Sequence, residues 1–273
     1  MLAIAGGKGG CGKTATACGL AEALVRAGHR PVVVDADVDM PDLHDRARAA
    51  PDPGLDDIAS GAPVESVLQR DHDLDGVGVV ASGSAAAIGP ALRRLTTVQG
   101  PVIVDCPAGA GRDVTAALRC TDRAVVVTTA TGSSLADATR TAAMSRTLGT
   151  PVDCLVVRDA GPTSTAGPET RRGPHLPDEA AADLRSHVGA AELVRLPSPE
   201  AGVTAPETRP AFDSLAATLA FGRPVSERPA GAGESLFGDH PVGGRPVGDG
   251  AVGDCAVRDP TVGEPREPGG GPE

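Results

Sequence analysis

Two lysines stand five positions apart in the run GKGGCGKT (residues 7–14), within a chain of 273 residues whose remaining basic side chains are all Arg. The run fits GxxxxGK[ST], a spacing that suits one task, the wrapping of a polyphosphate. Gly7, Gly9, Gly10 and Gly12 leave the backbone free to curl and to turn its N–H groups inward. Lys13 is placed to contact β- and γ-phosphates, and Thr14 to set its hydroxyl on Mg²⁺. Cys11 fills a variable position of the loop. A composition biased so strongly toward Arg marks Lys8 and Lys13 as positions where Arg fails. A second group of chemistry-bearing residues lies in PVVVDAD (31–37), where Asp35 and Asp37 close an apolar run. Carboxylates there sit at the mouth of an open α/β sheet, where ligands bind.

The elements that must position these groups follow from the hydrophobic pattern. LAIA (2–5) is a strand that breaks into the glycine loop. Ala17, Leu20, Ala21 and Leu24 then mark one face of a helix, with Gly28 closing it. PVVVDAD, VGVVASG (77–83), PVIVD (101–105), RAVVVTT (123–129), PVDCLVV (151–157) and AELVRLP (191–197) are continuous apolar runs of the kind a doubly covered strand shows. PGLDDIASG (53–61), SSLADATRTAAMSRTLG (133–149) and PAFDSLAATLAFG (210–222) are helical, the second opening on a Ser able to cap. Strands alternating with helices predict an α/β fold, a doubly wound, mainly parallel sheet with helices on both faces. Residues 159–177, rich in Pro, Gly and Thr, are expected to form a surface loop.

Beyond residue 222 the composition changes. Residues 224–273 hold 12 Gly and 8 Pro and run through a degenerate Val-Gly pentad (PVGGR, PVGDG, AVGDC, AVRDP, TVGEP). Such a segment cannot bury enough apolar surface to offset the entropy of ordering it. The chain therefore divides into a domain at 1–222 and an acidic, disordered low-complexity tail at 223–273.

With a second Lys inside its loop, KGGxGKT resembles the deviant Walker A motif of the MinD/ParA family of P-loop ATPases, archaeal MinD-like members above all. Other segments match in the same order. DADVDMPDLH (35–44) resembles the family's switch I, and VIVDCPAGAG (102–111) its Walker B and switch II. TTATGSSLADA (128–138) is similar to the strand and helix that follow, and LPSPEAGV (196–203) to the late loop near the base. The resemblance covers roughly residues 1–222. It implies that Lys8 reaches across an ATP-bridged homodimer to the partner's phosphates. It implies that Asp105 holds Mg²⁺ through water, that Asp35 belongs to the metal shell, and that Asp37 positions the attacking water. ATP and Mg²⁺ are the implied cofactors, with Lys8, Lys13 and Asp37 as the catalytic set. Two departures stand out: Ala130, Thr131 and Gly132 replace a usual TPE, and Val157 and Arg158 occupy the place of an adenine-side Asn. The guanine motif NKxD is absent, so ATP remains the expected nucleotide.

Charge and composition narrow the partners. With 36 Asp+Glu against 25 Lys+Arg the formal net charge is -11, so no clustered basic face is expected to meet nucleic acid. No run approaches a membrane span, no charged leader opens the chain, and the tail lacks an amphipathic basic helix. A cytoplasmic protein without a direct membrane anchor is expected, and a protein partner is left by elimination. The six Cys show no CxxC pair, which argues against an iron–sulfur scaffold, and the absence of Tyr argues against a tyrosine kinase relative. Cys11 and Cys106 flank the phosphate motifs without a firm redox assignment, and the six His are scattered. The expected function is an ATP-dependent dimerisation switch with slow hydrolysis that recruits or positions a protein. A non-hydrolysing nucleotide sensor of the same fold is the alternative.

Overall fold

The computed structural model describes residues 1–70, 76–158, 175–197 and 205–222. Most of the stretch expected to be a loop at 159–177, most of LPSPEAGV, and the whole tail from 223 lie outside them. The described strands are β1 (Leu2–Gly6), β2 (Val32–Asp35), β3 (Gln69–Arg70), β4 (Gly78–Val80), β5 (Val102–Ala108), β6 (Arg123–Thr129), β7 (Val152–Arg158) and β8 (Glu192–Leu196). They form one sheet in the order β3-β4-β2-β5-β1-β6-β7-β8, parallel throughout except for β3 against β4. β1 is central, flanked by β5 and β6. The chain winds outward from it on both sides, which opens a crevice at its carboxyl end.

Alternation along β1 divides the core. Leu2 and Ile4 face helices α1 (Lys13–Arg26) and α9 (Arg209–Thr218), with Leu20, Leu24, Phe212 and Leu215 between them. Ala3 and Ala5 face the opposite layer, where α3 (Leu55–Ala59), α5 (Ala85–Leu95) and α6 (Arg112–Arg119) pack Leu55, Ile88, Leu92 and Leu118. α7 (Gly132–Thr147) and α8 (Asp178–Val188) cover Val126, Leu155 and Val157 farther along the same sheet. Two single-turn helices, α2 (Leu43–Arg46) and α4 (Val64–Val67), complete the described elements. Each Leu, Ile or Phe withdrawn from water in this way contributes about 1.5–3 kcal/mol. Aliphatic side chains therefore build the core despite the scarcity of aromatics.

The helix after β6 starts differently from expectation. Thr131 is its N-cap, without a side-chain cap bond, and Ser133, expected to cap, lies inside the first turn. Ser134 does the local work: its Oγ accepts the Thr129 N–H at 3.0 Å and shares a hydrogen with Thr128 Oγ1 at 3.0 Å. Among the described residues, no helix is long and apolar enough to cross a membrane.

α1 meets α9 closely at Gly19, where an added Cβ would lie 2.3 Å from Phe212 Cζ. Overpacking of this kind costs about 1–3 kcal/mol, against up to about 1 kcal/mol gained from helix propensity. Gly19→Ala is therefore expected to lower the midpoint of denaturant unfolding. In a Phe212→Leu background the same substitution should become neutral or stabilising, and an unchanged penalty there would place the cost elsewhere.

Candidate functional site

Gly6 ends β1 and Gly12 caps α1, so residues 7–12 span the gap between strand and helix at the crevice. Gly10 and Gly12 take φ of 78° and 91°, values that a side chain would make strained. The turn is closed by Gly12, whose carbonyl accepts the Thr16 N–H at 2.9 Å and the Thr16 hydroxyl at 2.7 Å. The first N–H groups of α1 are thereby left facing the loop, with the positive end of the helix dipole behind them. Gly7 sits against α7, where an added Cβ would lie 2.3 Å from Asp137 Cβ. By contrast, nothing lies within 4 Å of a Cβ at Gly9 or Gly10. The loop is thus a glycine bowl with an open rim at Gly9 and Gly10.

The two lysines divide the bowl between them. Lys13 is 7% exposed and lies within the fold beside Gly6. Lys8 is exposed on the rim, its Nζ making a long contact of 3.4 Å with Ser133 Oγ at the start of α7.

Asp35 and Asp105 are register partners on neighbouring parallel strands, and Asp105 is also aligned with Ile4 of β1. Both side chains are buried. Burial pushes the Asp105 carboxyl up to about 8, with Asp35 adding like-charge pressure, while the Thr14 hydroxyl and Lys13 pull the other way. Its Oδ1 is buried with no hydrogen-bond partner. A cation-seeking oxygen beside the Thr14 hydroxyl suits Mg²⁺, which takes one or two protein ligands and completes its shell with phosphate and water. Asp105 and Thr14 would hold that ion.

Asp35 is engaged differently. Its Oδ1 accepts the Asp37 N–H at 2.9 Å and its Oδ2 the Leu43 N–H at 3.2 Å. Burial raises this carboxyl to about 6 in spite of those two bonds. Asp35 thus pins the loop that carries Asp37. Asp37 itself is half-buried; its Oδ1 accepts the Met40 N–H at 3.1 Å and its carbonyl accepts the Ser82 hydroxyl at 3.3 Å. Farther along this loop Asp39 is exposed, and Asp42 pairs with Arg46 at 2.9 Å.

Cys11 and Cys106 are buried, and burial raises both thiols above the ordinary value, which withholds the thiolate that redox chemistry needs. Arg158 at the end of β7, noted in the sequence only as a departure at the base position, is a buried cation. Its signal in the sequence was a charge placed directly after the apolar stretch 154–157 of PVDCLVVR.

A pH dependence follows from Asp105. In the nucleotide-free protein its carboxyl titrates near 8 rather than 3.8, so the folded state holds the proton over that interval and the unfolded chain does not. Stability from this group is full below the ordinary carboxylate range and is lost as pH rises through about 8. Asp35 contributes in the same sense but is finished above about 6. Asp105→Asn is therefore expected to flatten the fall in unfolding midpoint between about pH 6 and about pH 9. Retention of the wild-type slope would assign the titration to another group.

A glycine bowl on a helix N-terminus, with a buried Lys and paired carboxylates at the carboxyl edge of a doubly wound sheet, defines a nucleotide-binding domain. The CobQ/CobB/MinD/ParA nucleotide-binding domain model matches residues 2–174, and the chain belongs to that family. An uncharacterized ATP-binding protein of Methanocaldococcus jannaschii is 30% identical over 175 residues, 60% of this chain and 66% of the relative. The match thus spans just under two thirds of that relative's length. The crystal structure of the cell division ATPase MinD of Pyrococcus furiosus superposes with a TM-score of 0.66 at 24% identity, covering 80% of this chain and 97% of that one. The septum site-determining protein MinD of Pyrococcus horikoshii, complexed with Mg-ADP, gives 0.65 at 20% identity, covering 80% and 94%.

Proposed function

We propose that the protein is an ATP-dependent dimerisation switch, a slow Mg²⁺-dependent ATPase of the cytoplasm whose ATP state recruits or positions a protein partner. The observation that carries this reading is the pair of lysines on one loop, Lys13 buried in the bowl and Lys8 exposed on its rim. Lys13 and the inward N–H groups of residues 7–14 would bind the phosphates of one nucleotide. Lys8 has no such inward place, and a compact ammonium on an open rim suits a second copy's phosphates. Thr14 and Asp105 would hold Mg²⁺, which when bound neutralises phosphate charge. Asp37 would orient the attacking water at the mouth of the sheet, its loop held in place by Asp35. Rate enhancement would then come from positioning and from fixed positive charge around the transferred phosphoryl group. In this reading residues 1–222 are the ATPase domain, and 223–273 are a tail outside it.

The test is the molar mass in solution of Asp37→Ala with ATP–Mg²⁺ and with ADP. Light scattering should be paired with refractive-index detection, because a chain without Trp or Tyr barely absorbs near the usual wavelength. A dimer with ATP and a monomer with ADP is expected. A monomer in both states with ATP bound would replace the switch by the nucleotide sensor.

A further inference from the structure

Behind the phosphate loop lies a cation that the motif does not contain. Arg158, the last residue of β7, is 1% exposed. Its Nη1 donates to the Gly12 carbonyl at 3.3 Å and to the Thr16 hydroxyl at 3.1 Å, and its Nη2 donates to the Pro197 carbonyl at 3.1 Å. Nε is buried with no partner. Every acceptor among the described residues is neutral, and none of their carboxylates pairs with the group. Burial lowers the guanidinium to about 10; Cys11 pulls the other way, and Arg46 adds like-charge pressure.

A buried charge without an ion partner is strongly unfavourable unless something offsets it. The position of Arg158 identifies what does. The Gly12 carbonyl belongs to the same peptide as the Lys13 N–H, and in a trans peptide the two point in opposite directions. A guanidinium drawing on that carbonyl from behind polarises the N–H in front, the first amide of α1, which faces the Cys11 thiol of the same loop. Contact there is close: a Cβ on Gly12 would come within 2.9 Å of Arg158 Cδ. The Thr16 hydroxyl, which also donates to the Gly12 carbonyl at 2.7 Å, joins the same cluster.

The structure assigns Arg158 a part in nucleotide binding: it is a positioning cation beneath Gly12, and its counter-charge is the polyphosphate held on the other side of the loop. This rests on residues 7–14 being a phosphate site. The ligand chemistry is that of a polyphosphate, independent of the base, because the guanidinium acts through the Gly12–Lys13 peptide.

The assignment is tested with Arg158→Gln, which keeps donors and loses the charge, Arg158→Met, which loses both, and Arg158→Lys, which keeps the charge. Binding of ATP and of inorganic tripolyphosphate, each with Mg²⁺, is measured by calorimetry, alongside unfolding of the ligand-free proteins. Gln and Met should lower the affinity for both probes by the same factor, at least about tenfold, and Lys should restore most of it. Ligand-free unfolding midpoints of Gln and Met should be equal to or above wild type, since an uncompensated charge is gone. Affinity for tripolyphosphate within about twofold of wild type in Gln would overturn the assignment, as would a loss confined to ATP. A ligand-free midpoint that falls in step with affinity would reduce Arg158 to a structural strut. A wild type that binds neither probe would instead overturn the phosphate site itself, which separates the two failures.

Discussion

Alanine at Asp37 is expected to stop ATP turnover, by at least about 100-fold, while ATP–Mg²⁺ binding stays within about threefold of wild type. The separation follows from where the residue stands. Asp37 lies two residues past the carboxyl end of β2, on a loop fixed by Asp35 and by the Ser82 hydroxyl. The groups that would hold the nucleotide are on another segment, residues 7–14, with Asp105 beneath them. Removing the Asp37 carboxylate takes one bond from the Met40 N–H and leaves the bowl, Lys13 and the Asp105–Thr14 contact untouched. A steady-state phosphate release assay beside calorimetry with ATP–Mg²⁺ gives both quantities. Turnover equal to wild type would remove Asp37 from the reaction, and a matching collapse of binding would make it part of the nucleotide pocket.

The second large effect is at Gly7. A methyl group there would meet Asp137 Cβ at 2.3 Å and the Asp137 backbone carbon and oxygen at 2.6 Å. Two of these contacts are main chain, so no rotamer change relieves them, and either the loop or the first turns of α7 must move. Gly7→Ala is expected to cost about 1–3 kcal/mol of stability and at least about tenfold in ATP affinity. Gly9, two residues on, is the internal control: an added Cβ meets nothing within 4 Å, so Gly9→Ala should leave monomer stability and ATP affinity near wild type. Equal behaviour of the two variants in thermal unfolding and calorimetry would show that the loop does not rest on α7.

What was legible in the sequence was whatever repeated the chemistry of its element. The strands around PVVVDAD, PVIVD and RAVVVTT declared themselves because both faces of each are buried, so their apolar runs are continuous. The glycine loop was legible because its spacing is fixed by the anion it must fit. α5 was not, because AAAIGPALRRL carries Gly89 and Pro90 inside the helix, residues that locally argue for a turn. Its burial of Ile88, Ala91, Leu92 and Leu95 against α3 and α6 overrides that preference. β3, two residues long and antiparallel, has too little pattern to be seen at all. Asp35 came with an implied metal role; that each of its oxygens also accepts an N–H from its own loop is a partnership set by local folding. Arg158 stood in plain view as a departure from the family's Asn, but which way its side chain turns depends on Gly12, Thr16 and Pro197, residues distant in sequence.

One carboxylate grips the loop at both Asp37 and Leu43, so residues 37–43 form a closed ring. Within it Met40 is 76% exposed, the one large apolar side chain so exposed among the described residues. The Met40 N–H is bonded to the Asp37 carboxylate. The exposed tip of the ring is therefore one hydrogen bond away from the Asp37 carboxylate at the mouth of the sheet.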